Sequence, residues 1–85
     1  MKTIEAIRIE LDAIDTEMRR LFEARMALIL EVRAYKKANN MPILDQNREE
    51  FMLNHHISQL ENKELEGFYK TFLETVMHIS KAYQL

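Results

Sequence analysis

A chain of 85 residues with a net charge of −2 is long enough for one small domain, and we expect residues 1–85 to form it. The absence of cysteine excludes disulfides and thiolate metal sites. The balance of 12 basic against 14 acidic side chains argues against nucleic acid or an anionic membrane as a partner. Charged residues interrupt the N-terminal segment where a signal peptide needs an apolar core, and no apolar run approaches the length of a membrane span. A cytoplasmic protein is therefore expected.

The composition favours helix throughout, because one glycine and one proline leave few turns. We predict an all-α fold of three helices, the first of them very long. This first helix runs from an N-cap at Thr3 to about Ala38, where the Asn-Asn-Met-Pro segment of residues 39–42 supplies a left-handed cap and a stop.

The second and third predicted helices are shorter. The second begins near Asp45 and fades within residues 58–62, and the third runs from about Lys63 to the C terminus. Apolar residues recur along the third helix at steps of three and four, so we expect them to pack against the other helices as core. They are Leu65, Tyr69, Phe72, Val76, Ile79 and Tyr83.

The first helix carries a heptad seam with one charged member, Arg25. The seam consists of Ile4, Ile7, Leu11, Ile14, Met18, Leu21, Arg25, Leu28, Val32 and Tyr35. A guanidinium in a core seam must be paired or hydrogen-bonded, so a structural salt bridge or a snorkelling side chain explains Arg25 as well as a ligand site does. Lys36 follows Arg25 by eleven residues, which is about three helical turns, so both cations can face one groove.

The length of the first helix predicts an assembly. A helix of about 36 residues spans about 54 Å, whereas a compact chain of this size has a radius of gyration of about 12 Å. One end must project, and a projecting apolar seam favours pairing with a second copy around a twofold axis. Arg8 lies about 25 Å from Arg25 along a straight helix, too far to reach the same groove within one chain. It could reach the groove of a partner, although an exposed arginine is usually a solvated surface residue.

Polar residues with no evident structural role cluster at two places. Asp45, Arg48 and Glu49 crowd the start of the second helix, and Arg48 occupies the place that a capping box gives to Glu or Gln. Ser80 and Gln84 stand one turn apart near the end of the third helix. Spacing alone favours two ordinary polar residues for this second pair.

Other reactive side chains show no catalytic or metal-binding pattern. His55 and His56 are adjacent and lack the four-residue spacing of a helical metal pair. The sequence contains no glycine-rich phosphate loop and presents no serine or threonine beside a base as a nucleophile. No metal or cofactor is expected.

Nearly the whole chain carries an ordered set of motifs. The run IRIELDAIDTEMRRLFEARMALILEVRAYKKANNMPILDQNREE, followed by a late ISKAYQ, resembles the all-helical (AroQ-type) chorismate mutases. Their pattern is Arg, Ile-Asp, Arg-Met, Tyr-Lys, Asp-x-x-Arg-Glu and finally Ser-x-x-x-Gln. The resemblance implies an intertwined homodimer with two equivalent sites, each built mainly from one chain and completed by Arg8 of the partner.

The resemblance also implies an isomerase of the shikimate pathway, acting in aromatic amino acid (Phe/Tyr) biosynthesis. Chorismate, a dicarboxylate with an enol ether and a ring hydroxyl, would rearrange to prephenate by an intramolecular Claisen reaction that requires neither nucleophile nor metal. Arg25 and the partner's Arg8 would hold the side-chain carboxylate. Arg48 with Ser80 would serve the ring carboxylate.

The remaining positions of the pattern would bind the hydroxyl and the ether. Glu49, with the backbone at Asp45, would take the ring hydroxyl. Lys36 and Gln84 would donate to the ether oxygen, which gains negative charge as the C–O bond breaks. Gln84 is the penultimate residue, in a helix end prone to fraying, so either dimer packing holds it or the natural chain continues, for example into a second shikimate-pathway domain.

Two alternatives stay open at this point. The nearer is an isochorismate pyruvate lyase of the same superfamily, which would use a similar cationic pocket for elimination. The other is a non-catalytic helical dimer that senses a ligand or docks on another enzyme. A non-catalytic dimer should lack at least one catalytic residue of the pattern, whereas every position of the pattern is filled in this chain.

Overall fold

The structure, a computed structural model, describes all of residues 1–85 and contains helices and connecting turns only. Helix α1 spans Ile4–Ala38, α2 spans Gln46–Ser58, and α3 spans Glu66–Tyr83 after a 3₁₀ turn at Lys63–Leu65. The prediction of an all-α fold with a very long first helix is confirmed.

Local side-chain chemistry sets both ends of α1. The Thr3 hydroxyl accepts a hydrogen bond from the backbone N–H of Ala6 at 3.2 Å, which satisfies one of the free amides at the helix start. After Ala38 the chain turns at Asn40, which has a positive φ of 54°. Asparagine tolerates this left-handed conformation better than most residues, so the helix ends where the sequence predicted.

The α2 helix begins at a second side-chain cap. Asp45 is its N-cap, and Oδ1 accepts a hydrogen bond from the backbone N–H of Arg48 at 3.0 Å. The carboxylate also lies at the positive end of the helix dipole, which favours it there. Asp45 is therefore explained as a cap even though the capping-box position holds Arg48.

The molecule is elongated because α1 is much longer than the other helices. A helix of 35 residues rises about 52 Å, and the chain measures 56 × 25 × 16 Å with a radius of gyration of 16.2 Å. The α3 helix contacts both α1 and α2. Every apolar member of the α1 seam is exposed in the single chain. No helix combines the length and the apolar character needed to cross a membrane.

The core lies on one stripe of α3. The only buried residues are Leu73, Met77, Ser80 and Gln84. Each of these buried residues directly follows a residue of the predicted core seam of the third helix. That prediction is therefore wrong for the single chain. Of that seam only Tyr69 and Val76 are half-buried, while Leu65, Phe72, Ile79 and Tyr83 are exposed.

The physical reason for this offset is that α3 has a wide apolar band, of which its own chain covers one side. The other side lines an open apolar groove of about 650 Å³, into which all three helices contribute side chains. Phe22 of α1, Met52 of α2 and Phe72 of α3 are among them.

Candidate active site

Seven of the eight predicted site residues line a single cavity of about 180 Å³ where the three helices meet. The middle and end of α1, the start of α2 and the end of α3 each supply part of the wall. The seven are Arg25, Lys36, Asp45, Arg48, Glu49, Ser80 and Gln84. Arg8 lies toward the other end of α1 and is not part of this wall. Their roles toward a substrate stay predictions.

Arg25 and Lys36 face the same cavity, as their helical spacing predicted. Ile29 and Val32 lie between them and form an apolar strip of the wall. Arg25 is half-buried and donates from Nη1 to the Ser80 hydroxyl. It forms no salt bridge with a carboxylate, so the structural salt bridge is not what holds it.

The charge of Arg25 is not compensated within the chain. Burial lowers the pKa of its guanidinium from the ordinary value, and the positive charge of Arg48 lowers it further. Both causes express the same physical fact, which is that the folded chain disfavours the cation at this place. An anion placed between Arg25 and Arg48 would offset both the free-energy cost of desolvation and the repulsion between the two guanidinium groups.

Lys36 is fixed by the connection between α1 and α2. Its Nζ donates to the backbone carbonyl of Ile43 at 2.6 Å. The left-handed residue Asn40 turns the chain so that this carbonyl lies against the α1 face that bears Lys36. The ammonium is thereby held at the cavity, and two of its three N–H groups remain for a ligand.

The first turn of α2 presents both signs of charge to the cavity. Arg48 lies over the ring of Phe51, with 5.4 Å from its guanidinium carbon to the ring centroid. This contact supports the flat guanidinium without consuming its hydrogen-bond donors. Glu49 is half-buried on the same wall.

The end of α3 supplies Ser80 and Gln84, and both are buried. The Ser80 hydroxyl donates to the carbonyl of Val76 at 2.7 Å while it accepts from Arg25. Gln84 donates from Nε2 to the carbonyl of Ser80 at 3.2 Å, and its side-chain Oε1 is buried without a partner. An unsatisfied buried acceptor costs about 1–3 kcal/mol, and Oε1 remains able to accept a hydrogen bond from a donor placed in the cavity.

The position of Gln84 corrects one expectation. The residue is the C-cap of α3 and is only 7% exposed, so it is packed within its own chain rather than frayed. Ser80 lies four residues before Gln84 and Met77 three residues before Ser80, and both share the burial of Gln84 on the same stripe. Dimer packing is therefore not needed to bury it.

Sequence reasoning missed one charged residue of the wall. Lys81 lines the cavity and forms an ion pair with Glu49, with 3.1 Å from Nζ to Oε1 and 3.4 Å to Oε2. Its position three residues before Gln84, on the same side of the helix, was the available signal. The apolar part of the wall was missed as well. It consists of Ile29, Val32, Ile43, Met52 and Met77.

The cavity has an excess of positive charge. Lys81 is paired with Glu49, and the Asp45 carboxylate accepts from the α2 backbone. Arg25, Lys36 and Arg48 form no ion pair, so three cations are left to face a ligand. No group of three or more His, Asp or Glu side chains is placed to hold a metal ion. Such a wall can position an anion and stabilise charge that develops on an oxygen.

Of three comparisons with known proteins, one gives a match. The family described as chorismate mutase type II matches residues 7–85, which is nearly the whole chain. Comparison with curated proteins and with solved structures gives no match. The match begins just before Arg8 and includes every residue of the cavity wall. This chain therefore belongs to the chorismate mutase type II family, an isomerase class with an all-helical fold.

Proposed function

We propose that this chorismate mutase rearranges chorismate to prephenate in the cavity between the three helices, as a cytoplasmic homodimer that serves phenylalanine and tyrosine biosynthesis. The observation that carries the site assignment is the meeting of seven pattern residues around one cavity with three unpaired cations. Chorismate brings two carboxylates and a reacting ether, which suits a wall of cations and neutral donors.

The two carboxylates of the substrate would be bound by arginine. Arg25 and the partner's Arg8 take the side-chain carboxylate, and Arg48 with Ser80 takes the ring carboxylate. The mutual repulsion of Arg25 and Arg48 supports a dianion between them, because its two carboxylates neutralise both arginines. The Ser80 hydroxyl then exchanges its bond to the Val76 carbonyl for one to the substrate.

The ether oxygen would be bound by Lys36 and Gln84. Each has an N–H group to spare, because Lys36 uses one donor on Ile43 and Gln84 uses one on the Ser80 carbonyl. Negative charge grows on the ether oxygen as the C–O bond breaks, so these two bonds are stronger in the transition state than in the ground state. That difference, together with the compact conformation imposed on the substrate, accelerates the rearrangement. Glu49 and the backbone at Asp45 take the ring hydroxyl.

The proposed dimer rests on what the single chain leaves exposed. The apolar seam of α1 is exposed along its whole length, and the groove of about 650 Å³ is open beside it. Four buried residues make a small core for 85 residues, and chains of this size usually need a partner or a staple. A second α1 lying antiparallel would cover the seam and bring Arg8 to the partner's cavity.

Product analysis tests this function directly. Purified protein is incubated with chorismate and, separately, with isochorismate, and prephenate and pyruvate are measured in both, with the Lys36→Ala chain as the matched control. We expect prephenate in a 1:1 ratio to the chorismate consumed and no pyruvate from isochorismate. Release of pyruvate from isochorismate, without prephenate formation, would assign the chain to the lyases of this superfamily instead.

A further inference from the structure

The ion pair between Lys81 and Glu49 differs from every other ion pair of the chain. It joins two helices, α2 and α3, across 32 residues of sequence. The other three pairs link residues of one short segment, and their side chains are between 48% and 64% exposed. The Lys81 and Glu49 side chains are 38% and 25% exposed. A partly buried pair is screened less by solvent, so its electrostatic effect reaches the cavity.

The geometry of the pair commits Lys81 to Glu49. The ammonium lies within hydrogen-bond distance of both carboxylate oxygens, at 3.1 Å and 3.4 Å. None of the other cations of the cavity has a carboxylate partner. Of the four cations in the wall, three therefore have no carboxylate partner, and the fourth, Lys81, is paired with Glu49.

A carboxylate in this wall needs such a partner. Glu49 is the acceptor proposed for the ring hydroxyl, but the same substrate carries two negative charges, which repel it. Like charges in a partly buried site cost free energy unless a counter-charge is held close. A cation in contact with Glu49 would offset the repulsion, and contact with both of its oxygens would also fix the orientation of the carboxylate.

We propose that Lys81 is a positioning residue that neutralises and orients Glu49, so that an anionic side chain can accept the ring hydroxyl of a dianionic substrate. The inference rests on the proposed role of Glu49. Lys81 does not contact the substrate. Its contribution passes through the carboxylate, so it should vanish when the carboxylate is removed.

A double-mutant cycle on Lys81 and Glu49 tests this role. The chains are the wild type, Lys81→Met, Glu49→Gln and the double variant, with Lys81→Arg as the conservative replacement. Lys70→Met serves as the matched control, because Lys70 is an exposed lysine of the same helix outside the cavity. Prephenate formation gives kcat and KM for each, and circular dichroism confirms that each is folded.

We expect Lys81→Met to lower kcat/KM about tenfold, the order of one hydrogen bond to a charged group. Most of the loss should be a rise in KM, since the hydroxyl is bound in the ground state and in the transition state alike. Lys81→Arg should recover most of it, and Lys70→Met should behave as the wild type. In the Glu49→Gln background the same Lys81→Met change should cost less than about twofold.

Three results would overturn the inference. An unchanged kcat/KM in Lys81→Met shows that the ion pair does not matter to the reaction. A tenfold loss that persists in the Glu49→Gln background shows that Lys81 acts on the substrate itself. Equal losses in Lys81→Met and Lys81→Arg exclude a role of the charge. If Lys81→Met does not fold, Lys81→Gln takes its place in the cycle. A wild-type chain that forms no prephenate refutes the proposed function as a whole, whereas the other outcomes refute the role of Lys81 alone.

Discussion

Replacement of Lys36 by alanine removes the donor that the proposed mechanism relies on most. The side chain is half-buried on α1, faces the cavity and is held by the carbonyl of Ile43 at 2.6 Å. Alanine keeps the helix, since it has the highest helix propensity. The variant therefore isolates the ammonium group from the backbone that carries it.

The expected loss follows from the position of the donor. A preorganised donor on an oxygen that gains charge contributes about 10²-fold or more to the rate, which is about 2.7 kcal/mol of transition-state stabilisation. The folded state loses only the bond from Nζ to the Ile43 carbonyl, and a hydrogen bond to a charged group contributes about 1.5–3 kcal/mol to stability. The loss of activity should therefore be measured in a chain that circular dichroism shows to be folded.

The assay is chorismate consumption at saturating substrate, together with circular dichroism for helicity and mass measurement for assembly. Lys37→Ala is the control, because Lys37 is exposed, lies outside the cavity and points about 100° away on the helix. Near-normal turnover by Lys36→Ala, with helicity and assembly intact, would remove Lys36 from the site and refute the reasoning.

Two further predictions concern pH and the α2 cap. Activity should be broadly flat from about pH 6 to 9, because the Gln84 amide does not titrate and arginines keep their protons well above this range. The pKa of Arg25 is lowered by burial and then by Arg48, so any loss of its charge appears at the alkaline end and never at the acid end. A bell-shaped rate profile centred near pH 5 would count against these roles. Asp45→Ala should lower the free energy of unfolding by about 1 kcal/mol, because Oδ1 caps α2. Asp45→Asn should leave the free energy of unfolding nearly unchanged, as measured by urea unfolding. Equal destabilisation by both variants would exclude capping as the reason.

Much of the fold could be predicted because its determinants are local. The Thr3 cap, the left-handed turn after Ala38 and the start of α2 near Asp45 each depend on a few neighbouring residues, and the structure places all three as predicted. That the Asp45 side chain caps α2 is a finding of the structure. The shared face of Arg25 and Lys36 follows from helical geometry alone.

The errors concern contacts between distant segments. The apolar band of α3 is wide enough for two neighbouring stripes, and only the docking of α1 and α2 decides that Met77 rather than Val76 is buried. The pairing of Lys81 with Glu49 depends likewise on how α2 and α3 meet. Helical periodicity gives the face of a residue but not the partner across the interface.

The refolding of mixed chains tests the central claim most directly, namely that each active site is built by one chain and completed by its partner. Arg8 and Arg25 lie about 25 Å apart on one straight helix, too far to share a pocket within a chain. Arg8→Ala and Arg25→Ala chains, each nearly inactive alone, are unfolded in equal amounts, mixed and refolded, so that about half the dimers are mixed.

In a mixed dimer the cavity of the Arg8→Ala chain keeps its own Arg25 and receives an intact Arg8 from its partner, while the other cavity lacks both. One site in two is restored, so the mixture should recover about a quarter of the wild-type activity per chain. No recovered activity, with mixed dimers confirmed by mass, would contradict the shared site and leave Arg8 as a surface residue.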